Sequence, residues 1–311
     1  MQLPEHVRRL IDERAEAVGF APLKRAASEL SDAYRQGRAA RIGTAERTAA
    51  YLVTRMPATY AAAYAVLREV SRHIRSIPSV LDVGAGTGAA SLAARQFFPE
   101  AALTMIERDP ASTEAARLWL PDARVISGDA THMLALPPHD LVIACYALGE
   151  FATNLAERLW QAARVAFIVI EPGTPRGFAT IRSVRSELLA AAGHMVAPCP
   201  AETPCPMIDP DWCHFAARIE RSSLHRRIKE AALGFEDEKF SYVALAREAV
   251  ALPRARIVRR PQHQPGLIVL ETCTAQGLRT ERVTKRGREA YREARKAHWG
   301  SSIYHGIHAE S

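Results

Sequence analysis

The chain has 311 residues, of which 48% are apolar and 24% charged, and a formal net charge of +7. That length and balance exclude a disordered chain, and five cysteines are too few for a disulfide-built scaffold. A secretory signal is not expected, since residues 1–14 mix apolar and charged side chains. Nor does any uninterrupted apolar run reach the roughly 18 residues of a membrane span. The expectation is a cytoplasmic monomer whose basic surface is either simply solvated or faces a polyanion.

Residues 1–75 read as helical, rich in Ala, Leu, Glu and Arg, with breaks near Gly19-Phe20-Ala21-Pro22 and between Gly37 and Gly43. Thr44 opens a further helix, Pro57 interrupts the next apolar run, and a helix over 59–74 carries Tyr60, Tyr64 and Leu67 along one side. From Ser79 the period changes. Strand-type runs at 80–83, 101–106, 124–127, 140–144 and 165–170 are interleaved with helix candidates at 89–98, 111–119 and 154–163. This β/α alternation predicts a doubly wound sheet. A helix over 179–192 follows, then a segment in which Pro198, Pro200, Pro204, Pro206 and Pro210 exclude a helix or central strand. A helix over 222–233, strands at 240–245 and 267–272 closing the same sheet, and a basic helix over 285–298 complete the reading. The expected division is a helical region (1–75), a nucleotide-binding core (76–195), a cysteine segment with the remaining strands (196–275), and a basic helix and tail (276–311).

The most specific local feature is the loop Asp82-Val83-Gly84-Ala85-Gly86-Thr87-Gly88 between a strand and a helix. Glycines let the turn tighten and a ligand approach the backbone, while the free N–H groups of the helix add positive potential. Asp82, Gly84, Ala85, Gly86 and Gly88 are therefore candidate contacts for S-adenosylmethionine. Glu107, at the end of the second strand, is placed to accept ribose hydroxyls, and Asp129, in Gly128-Asp129-Ala130, to reach an adenine edge. Asp109 is a weaker substitute for Glu107, being past the strand end. After the fourth strand the chain reads Ala144-Cys145-Tyr146-Ala147-Leu148-Gly149-Glu150 and lacks the Asn/Asp-Pro-Pro-Tyr pattern of many amino-group methyltransferases. Cys145 reads as a buried sheet-edge residue rather than a nucleophile, Glu150 as a base or a cap, and no catalytic residue is assigned.

Cys199, Cys205, Cys213 and Cys273 follow wider steps than the tight pairs of a zinc finger. With Pro200 and Pro206 directly after two of them, they suggest a four-iron cluster, with zinc or unliganded cysteines as alternatives. A metal would also account for order in a Pro-rich segment with little apolar content. His214 reads as a neighbour of such a site or a nucleic-acid contact, and Trp212 and Phe215 as its seal. Three basic blocks stand out: Arg218 to Lys229, Arg254 to Arg260, and Arg279 to Lys296. If Cys273 joins the other three cysteines, the blocks come together as a candidate phosphate-binding face; otherwise they are three separately solvated stretches, and Tyr291 and Trp299 are stacking or core residues. The acids of Glu236-Asp237-Glu238-Lys239 are expected to pair with neighbouring arginines.

These residues resemble a known family, the methyltransferase-like proteins of mitochondrial and bacterial small ribosomal subunit biogenesis. The resemblance is carried by Arg55-Met56-Pro57-Ala58-Thr59-Tyr60, the loop from Asp82 to Gly88, Cys199-Pro200, Cys205-Pro206 and Asp211-Trp212-Cys213-His214-Phe215. Phe235-Glu236-Asp237-Glu238-Lys239-Phe240-Ser241-Tyr242, Arg259-Arg260-Pro261 and the stretch from Ala294-Arg295-Lys296 to Trp299-Gly300 carry it as well. It implies a class I S-adenosylmethionine-dependent methyltransferase fold with a cysteine-ligated cluster insertion and a four-iron cluster on the four named cysteines. It also implies binding to small-subunit ribosomal RNA or the assembling small subunit. An active ribosomal RNA methyltransferase and a small-molecule methyltransferase are the alternatives. Ser301-Ser302 departs from the acidic residue expected after Trp299-Gly300.

Overall fold

The computed structural model describes residues 1–35, 42–150 and 155–304. The expected break between Gly37 and Gly43 and the expected helix start at 154 fall largely outside those residues. Helices α1 (Glu5–Val18) and α2 (Phe20–Arg35) are separated by Gly19 at φ +82°, and Pro22 is tolerated in the first turn of α2. Val7, Ile11 and Ala15 of α1 are buried at four-residue spacing. Helix α3 (Ala45–Thr54) starts on Thr44, whose Oγ1 accepts the Arg47 N–H at 3.3 Å. Pro57 sits in the first turn of α4 (Met56–Val70), so α3 stops at Thr54 and Arg55 forms the joint.

The alternating region follows as β1 (Ser79–Val83), α5 (Ala89–Phe97), β2 (Ala102–Glu107), α6 (Pro110–Trp119), β3 (Arg124–Ser127), β4 (His139–Cys145) and α7 (Leu155–Ala162). Next come β5 (Ala163–Pro172), α8 (Pro175–Ala190), β6 (His194–Ala197), β7 (Phe215–Glu220), α9 (Ser223–Lys229) and β8 (Phe235–Ala246). The chain ends through β9 (Ala255–Ile257), β10 (Gln262–Gln264), β11 (Leu267–Thr274), β12 (Gly277–Thr284), α10 (Arg288–Lys296) and β13 (Ser302–Ile303).

Two compact units result, Met1–Arg164 with Ala217–Glu238, and Val165–Ala216 with Lys239–Ser311. In the first, four parallel strands run in the order β3-β2-β1-β4, with Val83 paired to both Ile106 and Ala144, and Glu107 to Ser127. Leu81, Val83, Ile106 and Ile143 fill its sheet core. Helix α4 is buried on nearly every side through Ala58, Ala61, Ala62, Ala63, Val66 and Val70, small residues that let neighbouring helices approach closely.

In the second unit, β8 lies between β5 and β6 and runs antiparallel to both, with Leu245 opposite Phe167 and Met195. A reversed strand in that place departs from the all-parallel dinucleotide domain. With the 3-2-1-4 order of the first unit, it gives a Rossmann-like, class I adenosylmethionine-methyltransferase fold. The segment expected at 267–272 to close the main sheet is instead β11 of a separate antiparallel sheet, paired to β9, β10 and β12. Its partners are local hairpin neighbours, which a short apolar run does not reveal. The inner face of this small sheet buries Ile257, Ile268, Leu270 and Val283 against Ala294, with Tyr291 packed alongside, so Tyr291 is a core residue.

Boundaries differ from expectation for identifiable reasons. Helix α8 starts at Pro175, earlier than expected, because Thr174 caps it through a 3.1 Å bond from the Gly177 N–H. Helix α9 ends at Lys229 because Glu230 takes φ +50°. Among the described residues no helix is long and apolar enough to cross a membrane.

Arg256 organises the second unit. Its side chain is buried, and its Nε and Nη1 donate to the carbonyls of Pro198 and Gly300, both at 2.8 Å. Replacing Arg256 with Met would strand these carbonyls and is expected to cost about 3 kcal/mol, at ~1–3 kcal/mol per buried group. Urea unfolding followed by fluorescence checks this, and an unchanged midpoint would show that the arginine is dispensable.

Candidate nucleotide site

The loop leaves β1 and turns through three left-handed glycines, Gly84 at φ +67°, Gly86 at +54° and Gly88 at +75°. The Gly84 and Ala85 N–H groups donate to the Ile106 carbonyl at 2.9 and 3.2 Å, which ties the turn to β2. A Cβ on Gly88 would lie 3.2–3.3 Å from Leu120, Ala116 and Met105, whereas one on Gly86 meets nothing within 4 Å. Gly88 therefore serves packing. Gly86 presents bare backbone to open space, as close approach of a ligand requires.

Asp82 is 1% exposed. Its Oδ2 accepts the Ser91 N–H and hydroxyl at 3.0 and 2.7 Å, joining β1 to α5. Its Oδ1 and the Thr87 Oγ1 are buried with no hydrogen-bond partner. Two unsatisfied polar atoms beside bare backbone are the unused capacity a bound ammonium or hydroxyl would fill, so the loop fits an adenosylmethionine-type ligand. Burial, with the nearby Glu107 charge adding to it, pushes the Asp82 carboxyl from 3.8 up to about 6.

Glu107 ends β2 with both oxygens engaged. Oε2 accepts the Gly86 N–H at 2.8 Å, and Oε1 accepts those of Arg108 and Asp109, each at 2.8 Å. Asp129 follows β3 and is held by Thr131, whose N–H and hydroxyl donate to Oδ1 at 2.9 and 2.6 Å. Its Oδ2 pairs with Arg108 at 3.2 Å. These bonds, the Thr131 hydroxyl first, hold its carboxyl below the usual range. The fold thus gathers Asp82, the glycines, Glu107 and Asp129 at one rim of the first unit, with Arg108 linking the last two. Asp109 is instead the α6 cap, its Oδ2 accepting the Ser112 N–H at 3.0 Å.

Cys145 is buried at the end of β4. The side chain of Glu150 lies outside the described residues. Sequence reasoning missed the next residue, Tyr146, which adopts φ +57° and donates its hydroxyl to Glu238 Oε1 at 2.9 Å. Arg55 lies 3.5 Å from the same oxygen. Residue type alone carried no signal for this trio, whose members are more than 90 positions apart at the nearest.

Cys199, Cys205, Cys213 and Cys273 all line one cavity of about 40 Å³ in the second unit. Even so, among the described residues no group of three or more His, Cys, Asp or Glu side chains is arranged to hold a metal ion. The expected four-iron cluster, the zinc alternative and the cluster-bearing insertion are corrected on that finding. The cysteines instead line that cavity. Cys205, Cys213 and Cys273 pack on the apolar group Phe178, Met207 and Val258. Burial pushes the Cys213 thiol well above its ordinary range and that of Cys273 up to about 12. Arginine supplies the order that was ascribed to a metal. Arg185 Nη2 donates to the Ala201 and Thr203 carbonyls at 2.9 and 2.7 Å, and its Nε to Cys199 Sγ at 3.4 Å. His214 stacks on Trp212 at 5.1 Å and meets the edge of Trp299 at 4.8 Å, so these aromatics pack on one another.

The basic blocks differ in how far they are neutralised. In the first, Arg218 pairs with Asp237 at 2.7 Å and Arg221 with Glu236 at 3.0 Å, as the acidic run suggested. In the second, Arg256 is buried and Arg259 pairs with Asp211. In the third, Arg279, Arg282, Lys285, Arg286, Arg288, Arg292, Arg295 and Lys296 are all exposed, on β12, the turn after it and α10. None of these eight makes an ion pair among the described residues.

Residues 45–303 match the family described as mitochondrial small ribosomal subunit Rsm22. The chain belongs to the Rsm22 family. It is similar to the human protein named ribosome assembly protein METTL17, mitochondrial, with 26% identity over 294 residues, covering 81% of this chain and 61% of the human protein. It is also similar to the Schizosaccharomyces pombe Rsm22-cox11 tandem protein 2, mitochondrial, at 25% identity over 81% of this chain and 42% of the relative. The chain therefore spans 61% and 42% of the lengths of these two Rsm22-type relatives. Both are named as mitochondrial, and the expectation of a cytoplasmic protein is corrected accordingly. Among solved structures, the plantazolicin methyltransferase BpumL overlaps 78% of this chain and 99% of its own length, with a TM-score of 0.43 and 12% identity. A Geobacter metallireducens precorrin-6y C5,15-methyltransferase overlaps 59% and 86%, with a TM-score of 0.40 and 16% identity. The fold assignment for this Rsm22-family chain rests on its strand order.

The raised Asp82 carboxyl has a testable consequence. With the folded value near 6 and the unfolded value near 3.8, the native state holds the extra proton between them. Stability from this group is thus greatest below about pH 4 and declines as pH rises through about 6, by ~3 kcal/mol. Asp82→Asn is expected to remove that decline in urea unfolding measured across this range. A variant with the wild-type pH profile would refute the assignment.

Proposed function

We propose that this chain is an adenosylmethionine-binding, methyltransferase-like factor that engages small-subunit ribosomal RNA during assembly of the small ribosomal subunit. Family membership supports the assembly role, and the eight exposed, unpaired cations of the third basic block support an RNA partner. That block is the observation on which the reading rests. It contains only three acids, Glu281, Glu289 and Glu293, so a phosphate chain meets a strong positive field.

Adenosylmethionine would supply an electrophilic methyl group when bound. The residues placed to hold it are Gly86 with its open backbone, Gly84, Ala85 and Gly88 as the turn that shapes the loop, Asp82 and Thr87 with their unpaired oxygens, and Glu107 and Asp129 at the ribose and adenine ends. Glu107 would exchange its bond from the Gly86 N–H for ribose hydroxyls. No residue after β4 matches an amino-methyltransferase motif, which favours binding and assembly over turnover.

Calorimetric titration with adenosylmethionine is expected to show binding by the wild type and a loss of at least about tenfold in Glu107→Ala, ~1.4 kcal/mol per tenfold. No heat from the wild type would remove the nucleotide reading. For RNA, affinity is expected to fall as salt rises, and neutralising Arg292 and Arg295 together should flatten the log–log slope by about 1–2 units. An unchanged slope would move the phosphate contacts elsewhere.

A further inference from the structure

Two motifs that carry the family resemblance, the Arg55 segment and the Glu-Asp-Glu-Lys segment, have no part in the glycine loop. They converge on a third residue. Because Val83 pairs with Ala144, the ends of β1 and β4 lie side by side, and Tyr146 leaves the sheet at the same rim as Gly84 to Gly88. The strand order reverses direction between β1 and β4, where ligands collect in open α/β sheets. Tyr146 holds φ +57°, a conformation costly for a bulky side chain and maintained only where its surroundings enforce it.

Its side chain is anchored on a carboxylate. The Tyr146 hydroxyl donates to Glu238 Oε1 at 2.9 Å, and the Arg55 guanidinium lies 3.5 Å from that oxygen. Arg55 reaches it from the joint between α3 and α4, and Glu238, 15% exposed, from β8. Burial, followed by the Glu238 charge, pushes the Tyr146 hydroxyl well above its ordinary range, so it remains a donor. Glu238 Oε2 is left with no hydrogen-bond partner among the described residues.

We propose that Tyr146, Glu238 and Arg55 form a base-reading subsite beside the glycine loop, where Glu238 Oε2 accepts N–H groups from the amino edge of an unpaired nucleobase. The inference rests on the reading of the first unit as an adenosylmethionine-type crevice in an RNA-binding protein. An ionised carboxylate only accepts hydrogen bonds, so its ligand must present donors. Cytosine and adenine offer an exocyclic amino group to a carboxylate, whereas uracil offers only a ring imide N–H. The Tyr146 ring supplies a face of the kind on which splayed RNA bases stack. Tyr146 and Glu238 act here as binding and positioning residues, and no transfer step is assigned to them.

The test uses the full chain with short labelled oligo(C), oligo(A) and oligo(U) in anisotropy titrations. The wild type is expected to bind the two amino-bearing oligomers about tenfold more tightly than oligo(U). In Glu238→Gln that ratio should fall towards one with the salt dependence unchanged, and in Tyr146→Phe it should fall part-way. If Glu238→Gln unfolds, Tyr146→Phe, which keeps the ring, carries the test. Equal affinity of the wild type for all three oligomers, or folded variants with the wild-type ratio, would overturn the proposal. Adenosylmethionine titrated against the same proteins separates the two failures. Discrimination without adenosylmethionine binding sinks the pocket reading and supports the subsite, whereas adenosylmethionine binding without discrimination sinks the subsite alone.

Discussion

The carboxylate of Glu107 holds the nucleotide-type loop in its working shape. One oxygen accepts from Gly86 at the crest of the left-handed turn, and the other from the two residues that carry the chain out of β2. A left-handed turn has no side-chain packing of its own, so its position depends on such tethers. The glycine turn and the end of β2 are thus fixed to each other through one residue, and the Arg108 guanidinium extends the tie to Asp129.

The second unit solves a different problem. Five prolines between 198 and 210 leave carbonyls without regular partners. Two buried arginines supply the missing donors, Arg185 to Ala201 and Thr203, and Arg256 to Pro198 and Gly300. Guanidinium suits this role because its planar fork serves several acceptors and stays charged when buried. Of the cysteines around it, Cys199 accepts from Arg185 and the other three pack on Phe178, Met207 and Val258.

Sequence periodicity revealed what is local. The strand–glycine–helix unit, the Pro57 break, the Thr44 cap and the pairing of the acidic run with nearby arginines all follow from spacing and residue type. Its failures concern partners distant along the chain. A short apolar strand reads the same in either sheet, so β11 was assigned to the wrong one. Cysteine spacing indicates common lining but not whether sulfurs converge, and the proline-rich order ascribed to metal comes from arginines 185 and 256. Tyr146 reads as an ordinary residue because its partner Glu238, and Arg55 beyond it, are joined to it by no local pattern.

The start of β8 has a wider significance. Successive strand residues face opposite sides, so Glu236 and Glu238 share one face and Asp237 takes the other. Each occupies a different arginine: Arg221, Arg55 and Arg218. Losing the carboxylate at Glu236 or Asp237 would therefore do more than break an ion pair. It would unmask a guanidinium and add a polyanion-attracting charge to that edge of the strand. Those acids thus set the charge of this edge by subtraction, each cancelling one arginine.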